Sequence, residues 1–317
     1  MGAPTVTVGI PLYERREYVE GALKSAARQD YANVDILVSD NGENPDELRT
    51  WVEDRMEGRR FRFRRNDSTV DLTRHFNQLV EEARGDYFVL LCDDDEISPN
   101  YVSSLAKHLT EDPEIAVAVA RADLIDESGH RRPKEQAHFP AGVHPCRDFI
   151  RIWCGHEYDF GSFVTNMART ESIKAAGGYP DFVKGNSIDN ALLIALSVGH
   201  KVALVDGASF LYRIYESSTG LAADYRELGK AQRQFLRYLD RHPNLRAYER
   251  EDPAQWKSMK DQIVEMAWRT YRHRWKNMYR DRLSRGEWAR AAFQMPFIPA
   301  YYKAVLPHLF KSVIRGR

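Results

Sequence analysis

The chain predicts an α/β fold with a mostly parallel central sheet flanked by helices, extended at its C-terminal end by helices alone. Three observations predict it. Strand-like and helix-like segments alternate through the first hundred residues, the pattern of a parallel sheet with helices on both faces. Tyr87 to Leu91 is an uninterrupted apolar run, as expected of a strand buried on both sides. Beyond Asp224 the strand signals stop and long helical periodicities take over. These divide the chain into residues 1–222, carrying the chemistry, and a helical extension, 223–317.

Thr5 to Leu12 is β-branched and apolar and reads as a first strand that stops at Pro11. Arg16 to Gln29 follows with Tyr18, Val19, Ala22, Leu23, Ala26 and Ala27 at helical spacing. Val34 to Val38 is a second strand ending in the turn signature Ser39-Asp40-Asn41-Gly42. A helix near Asp46 to Met56, a short strand at Phe61 and a helix from Thr73 to Ala83 lead into Tyr87 to Leu91. Helix Tyr101 to Leu109 and strand Ile115 to Ala120 make one more α/β step. Asp126 to Val143 is polar and reads as an excursion. A short helix at Phe149 to Trp153, a strand at Phe163 to Met167 and a helix from Glu171 ending at the Gly177-Gly178 cap come next. The apolar helix Ile188 to Val198 and two strands, Lys201 to Val205 and Phe210 to Tyr215, close the α/β part. Tyr225 to Leu239 and Ala254 to Leu283 are long helices, followed by Trp288 to Phe293 and Tyr301 to Ile314.

With 317 residues, 43% hydrophobic and 29% charged, the chain is long enough for one large α/β domain and too apolar to be disordered. Its formal net charge is zero, which removes any global pull toward nucleic acid. Cys92, Cys146 and Cys154 match no zinc spacing and no disulfide framework; they read as buried thiols of a reducing compartment. The opening segment resembles no signal peptide and no apolar run reaches membrane-spanning length. A cytoplasmic enzyme is expected. Residues 256–317 carry a local charge of about +10 with interleaved aromatics. Two readings stay open there: peripheral contact with an anionic membrane face, or a helical bundle packed on the core or on a second copy of the chain.

The chemistry concentrates after Leu91. Asp93, Asp94 and Asp95 place three carboxylates at a strand's carboxyl end, where open α/β sheets bind ligands. Hard oxygen ligands of this kind suit Mg²⁺ or Mn²⁺ carrying a substrate's phosphates. The alternative is an acidic turn before the helix near Asn100. Asp40 ends the second strand, where its carboxylate could accept from a nucleobase N–H or form an Asx turn with its own backbone. Asn66 and Arg74 could reach a base or a diphosphate, or belong to a solvated helix face. Asp189 opens an otherwise apolar helix, as a cap or as a partly desolvated general base. Trp153, His156, Tyr158 and Asp159 offer rings and polar groups for sugar stacking and hydroxyl recognition.

Taken in order, Val8-Gly-Ile-Pro-Leu-Tyr13, Ser39-Asp40-Asn41-Gly42, Asn66, Leu91-Cys-Asp-Asp-Asp-Glu-Ile-Ser-Pro99, Gly177-Gly178-Tyr179, Asp189 and Tyr212-Arg213 resemble the family 2 glycosyltransferases of the GT-A fold. The likeness covers about residues 5 to 216. It implies an inverting transfer from a nucleotide-diphosphate sugar, usually a uridine one, to a glycan, lipid-linked or natural-product hydroxyl, with Mn²⁺ or Mg²⁺. It also implies roles. Pro11, Tyr13 and Glu14 would line the nucleotide pocket and Asp40 would bind the base. Asp93 would face the ribose, Asp94 or Asp95 would hold metal, and Asp189 would be the base. The chain departs from the pattern at Cys92, where many members carry Asp, so the register of the metal motif stays open. It departs again at Ile188, where Glu is common, and at Tyr215, where a histidine ligand is common.

Two other classes deserve comparison. A sugar-nucleotide nucleotidyltransferase usually has a glycine-rich, arginine-containing loop after its first strand, and Pro11-Leu-Tyr-Glu-Arg-Arg16 has no glycine. The same absence disfavours a nicotinamide dehydrogenase. A non-catalytic nucleotide- or carbohydrate-binding module would lack the base at Asp189.

Overall fold

The computed structural model describes residues 2–13, 17–42, 47–132, 139–155, 166–215 and 225–279, with side chains to residue 271. Glu14, His156, Tyr158, Asp159 and the basic segments beyond residue 279 lie outside the described residues.

Four strands open the sheet: β1 (Val6–Leu12), β2 (Val34–Asp40), β3 (Phe61–Arg65) and β4 (Tyr87–Leu90). They lie in the order β3-β2-β1-β4, every neighbour parallel. Helices α1 (Val19–Ala27), α2 (Leu48–Glu53) and α3 (Leu72–Glu82) make the crossovers. The order runs outward from β1 to β3 and then resumes at β4 on the other side of β1. That reversal opens a crevice between the carboxyl ends of β1 and β4.

The second half of the sheet is mixed. It contains β5 (Glu96–Ile97), β6 (Ile115–Ile125), β7 (Gly142–Pro145), β8 (Asn166–Arg169) and β9 (Lys201–Arg213). β8 runs antiparallel between β4 and β6, while β6 and β9 are parallel and β5 and β7 pair antiparallel with β9. The helices here are α4 (Tyr101–Glu111), α5 (Cys146–Cys154), α6 (Thr170–Ala175) and α7 (Ile188–Ser197).

Three expectations change. The first strand passes through Pro11, pairing as far as Leu12 with Asp40. Alternate residues of a strand face the same neighbour, and the β4 ladder has ended at Gly9 and Leu90, so the missing N–H of Pro11 leaves no bond unmade. The two strands expected from Lys201 to Tyr215 are one strand. Its register against β6 jumps from Val205 to Ser209, and Gly207 takes a φ of 78° inside that bulge. The two-residue β5, tethered to Phe210 and Leu211, has no counterpart in the sequence reading.

Side-chain alternation splits the core between the two faces. Val6, Val8 and Ile10 pack with α1, α2 and α4 on one face. Leu37, Phe88, Leu90, Val117 and Val119 pack with α3, α5 and α7 on the other. Gly9 keeps this second layer close, since a Cβ there would come within 2.9 Å of the Phe88 ring. The C-terminal helices α8 (Tyr225–Arg241), α9 (Pro243–Glu251) and α10 (Pro253–Tyr279) join the same layer. Phe235, Leu239, Leu245, Trp256, Met259 and Ile263 are buried against it.

Candidate functional site

The carboxyl ends of β1, β2, β3 and β4 bring most of the sequence-predicted residues to one rim. Tyr13 follows β1 and Asp93 follows β4, and the Tyr13 backbone N–H donates to Asp93 Oδ2 at 3.3 Å across the crevice. Pro11 is buried one step below, and Tyr13 is 44% exposed.

Asp94 and Asp95 are held by the end of β9. Tyr215 Oη donates to Asp94 Oδ2 at 2.5 Å, and the Arg213 backbone N–H donates to Asp95 Oδ1 at 2.9 Å. The Arg213 guanidinium, 4% exposed, donates to the Asp94 carbonyl at 2.8 Å and to Glu96 Oε1 at 2.6 Å. It also reaches the carbonyls of Asp126 and Glu127 and lies 4.8 Å from the Tyr18 ring centroid. The compensating charge beside the acidic turn therefore includes a protein cation. Nothing in the sequence beyond the Tyr212-Arg213 dipeptide pointed to Arg213 or Tyr18.

Among the described residues the group with metal-ligand proximity is Cys92, Asp94 and Asp95, whose ligand atoms lie within 4.8 Å of one another. Burial, and next the charges of Asp95, Asp94, Asp93 and Asp189, push the Cys92 thiol well above its ordinary range. Thiolate is a soft donor, so the donor set that fits a hard cation is the oxygen pair Asp94 and Asp95. Asp93, expected in that set, accepts from the Tyr13 N–H through Oδ2. Asp95 is 2% exposed, and burial first, the Asp94 charge second, push its carboxyl well above the usual range.

Asp40 is fully buried. Its Oδ1 accepts from the Gly42 N–H at 3.0 Å, an Asx turn, and its Oδ2 accepts from Arg65 Nε at 2.8 Å. Asn66 donates to Asn41 Oδ1 and accepts from Arg64, both at 2.8 Å. Both residues stand at the rim, with much of their hydrogen-bonding capacity spent inside the protein. His75 Nε2 shares a 2.8 Å hydrogen bond with Ser39 Oγ beneath them. Burial, then the Arg64 charge, lower its pKa to about 4. Arg74 is exposed at the first turn of α3 and makes no ion pair with the acidic turn among the described residues.

Asp189 is half-buried in the first turn of α7. After burial and nearer charges, its charge adds to the rise of both the Cys92 thiol and the buried Tyr179 hydroxyl. Lys184 and Ser187, just before it, have φ of 55° and 64°, a backbone strain of the kind that persists where surroundings enforce it. Asn77 on α3 clamps the preceding loop, donating to the Tyr179 carbonyl at 2.9 Å and accepting from its N–H at 2.8 Å.

Trp153 corrects an expectation. It is 8% exposed and packed in the core, stacked on Phe149 with centroids 5.9 Å apart. The apolar periodicity of α5 turns this ring inward, away from any soluble sugar.

A family model described as glycosyl transferase family 2 matches residues 7–175, just over half of the chain. The match ends before Asp189. Escherichia coli K12 WcaA, a glycosyl transferase assigned to colanic acid biosynthesis, is 30% identical over 106 residues, 33% of this chain and 38% of WcaA. Myxococcus xanthus RfbC, an O-antigen biosynthesis protein, is 28% identical over 130 residues, 40% of this chain and 10% of RfbC. The matched stretch thus spans well under two thirds of these relatives. Among solved structures, S. aureus TarS 1–349 in complex with UDP-GlcNAc superposes with a TM-score of 0.61 at 15% identity, covering 77% of this chain and 69% of that one. The mannosyltransferase PcManGT of Pyrobaculum calidifontis, in complex with GDP-Man and Mn²⁺, gives 0.55 at 15% identity, covering 97% and 81%. At such identity these two speak for the fold. Among the described residues no helix is long and apolar enough to cross a membrane.

Proposed function

Because the chain belongs to glycosyl transferase family 2, and so is a glycosyltransferase, with the GT-A arrangement of sheet and helices, we propose that it performs an inverting transfer. The donor is a nucleotide-diphosphate sugar, by preference a uridine one, and the acceptor is a hydroxyl of a glycan, lipid-linked or natural-product molecule. One observation supports this reading: across the crevice where the strand order reverses, the Tyr13 N–H after β1 donates to the Asp93 carboxylate after β4, beside Asp94 and Asp95.

The donor's nucleoside lies over the ends of β1 to β3, against Pro11 and Tyr13, with Asp40, Asn66 and Arg74 toward the base. Asp93 faces the ribose. Asp94 and Asp95 would hold Mn²⁺ or Mg²⁺, which would supply charge neutralisation to the diphosphate. Asp189 takes the acceptor hydroxyl's proton as that oxygen bonds to the anomeric carbon. The bond from that carbon to the diphosphate oxygen breaks, the electron pair leaves with the nucleoside diphosphate, and attack from the opposite face inverts the centre. Tyr215 and Arg213 keep the acidic turn in position.

Calorimetric titration with UDP, GDP and dTDP, each with and without Mn²⁺, tests the site. One nucleotide is expected to bind only with metal, and Asp94→Ala and Asp95→Ala should each abolish that binding. Asp189→Asn should bind the nucleotide as wild type does while turnover falls by about 10²–10⁴-fold. Unchanged turnover would remove Asp189 from the chemistry. A variant series that alters no activity in any transfer assay, yet keeps nucleotide affinity, would favour a binding module.

A further inference from the structure

We propose that Gln234 on α8 is a positioning residue for Asp189. Its side-chain amide fixes the turn from which α7 starts, so the C-terminal helices complete the catalytic centre. The proposal rests on the reading of Asp189 as the base.

The chain enters α7 through left-handed backbone. Lys184, Gly185 and Ser187 take φ of 55°, 65° and 64°. Two of the three carry a Cβ, and such backbone persists only where its surroundings over-determine it. Inside the turn, the Gly185 N–H donates to the Phe182 carbonyl at 2.9 Å, and the Asn186 N–H donates to the Val183 carbonyl at 3.2 Å. The Ala191 N–H donates to the Ser187 carbonyl at 3.0 Å. The first turn of α7, which contains Asp189, is therefore built directly on Ser187.

The grip from outside comes from α8. Gln234 Oε1 accepts from the Val183 N–H at 2.9 Å, and its Nε2 donates to the Asp181 carbonyl at 3.3 Å. One planar amide thus holds two peptide groups just ahead of Lys184. Phe182, between them, is buried and meets the rings of Phe235 and Tyr238 edge-on, with centroids 6.5 and 5.8 Å away. Ring contacts set how far the turn lies from α8, but they tolerate sliding. The directional hydrogen bonds set how its backbone is turned. His242, which starts α9, bonds the Ala176 carbonyl at the end of α6 through Nε2 at 3.0 Å. Asn244 Nδ2 donates to the Ala195 carbonyl of α7 at 3.1 Å. All of these holding groups lie beyond residues 7–175, the stretch the family model matches. The magnitude matters because a base acts only within hydrogen-bond reach of its proton, and a displacement of about 1 Å can cost about 10²-fold in rate.

The test compares the full chain with Gln234→Met, which is close in length and lacks the amide. Residue-resolved hydrogen exchange should quicken about tenfold or more at Val183 and also at Ala191, whose bond founds α7. A rise at Val183 alone would overturn the proposal, whatever the kinetics. Turnover is read as release of nucleoside diphosphate from UDP-glucose, UDP-N-acetylglucosamine and GDP-mannose with Mn²⁺, water standing in for the acceptor. Here kcat should fall about tenfold or more, while affinity for UDP or GDP with Mn²⁺ stays within about twofold. In an Asp189→Asn background the same change should cost less than about twofold, because the group it positions is gone. An equal loss in both backgrounds, or nucleotide affinity falling in step with kcat, would mark a general structural role and sink the proposal. The two readings fail separately. Turnover lost in Asp189→Asn and kept in Gln234→Met leaves the base in place and removes its positioning residue. Turnover kept in Asp189→Asn removes the base, while exchange at Val183 and Ala191 still decides whether Gln234 holds the start of α7.

Discussion

Arg213 ties more of the active rim together than any carboxylate does. Its side chain joins the acidic turn, the segment after β6 and Tyr18, and its backbone holds Asp95. Arg213→Ala would take the buried guanidinium from Glu96 and three carbonyls, an expected loss of about 3 kcal/mol in urea unfolding. Arg213→Lys should recover little, because one ammonium cannot replace a planar fork spread over these partners. His75 sets a pH dependence. Its folded pKa, about 4, lies below the unfolded value of 6.5. Its contribution is therefore complete above pH 6.5 and is lost as pH falls toward 4, up to about 3 kcal/mol. His75→Gln should flatten the stability profile across that window. Asp95 shifts the other way and keeps its proton to higher pH than an ordinary carboxyl. Binding of Mn²⁺ there should release a proton and tighten with rising pH, which calorimetry in buffers of different ionisation enthalpy would read.

At the scale of elements, α7 is useful because of what holds its entry. Gly177 and Gly178 end α6 at φ of 82° and 71°, and Asn77 grips the loop from α3. Asn77→Ala removes two hydrogen bonds and leaves Tyr179's backbone to find others, at an expected cost of about 1–3 kcal/mol. If Asp189 is the base, kcat should drop with nucleotide affinity unchanged, since the clamp touches only the base side. The glycine pair was legible as a helix end, but the clamp joins residues 102 positions apart and has no local signal. β9 was misread as two strands for a related reason. Asp206 and Gly207 look like a turn, whereas pairing with β6 resumes at Ser209, and only a partner strand converts a turn signature into a bulge.

For the whole molecule, the C-terminal helices act as a layer of the core. Trp256 is 1% exposed, and Met259 and Ile263 lie beside it in the same apolar cluster as Leu192 and Leu204. Trp256→Ala should cost about 3–5 kcal/mol in denaturant unfolding. Its effect should reach the α/β sheet cooperatively, seen as a single transition shifted as a unit. Helical periodicity in the sequence marks α8 and α10, yet it does not say which side of the sheet they cover, and it leaves out α9 between them.

The order of strand, turn and carboxylate segments through Asp95 was sufficient to predict the parallel half of the sheet and the rim where its loops converge. Periodicity and strand-end position are local properties, written residue by residue, and they carry Tyr13, Asp40, Asn66 and Asp93 to the same edge. What only the tertiary structure decided is which groups spend themselves on one another. Asp40 takes Arg65, Asp94 takes Tyr215, and Trp153 goes to the core. Burial and pairing depend on neighbours distant in the chain, so no pattern within a segment could have announced them.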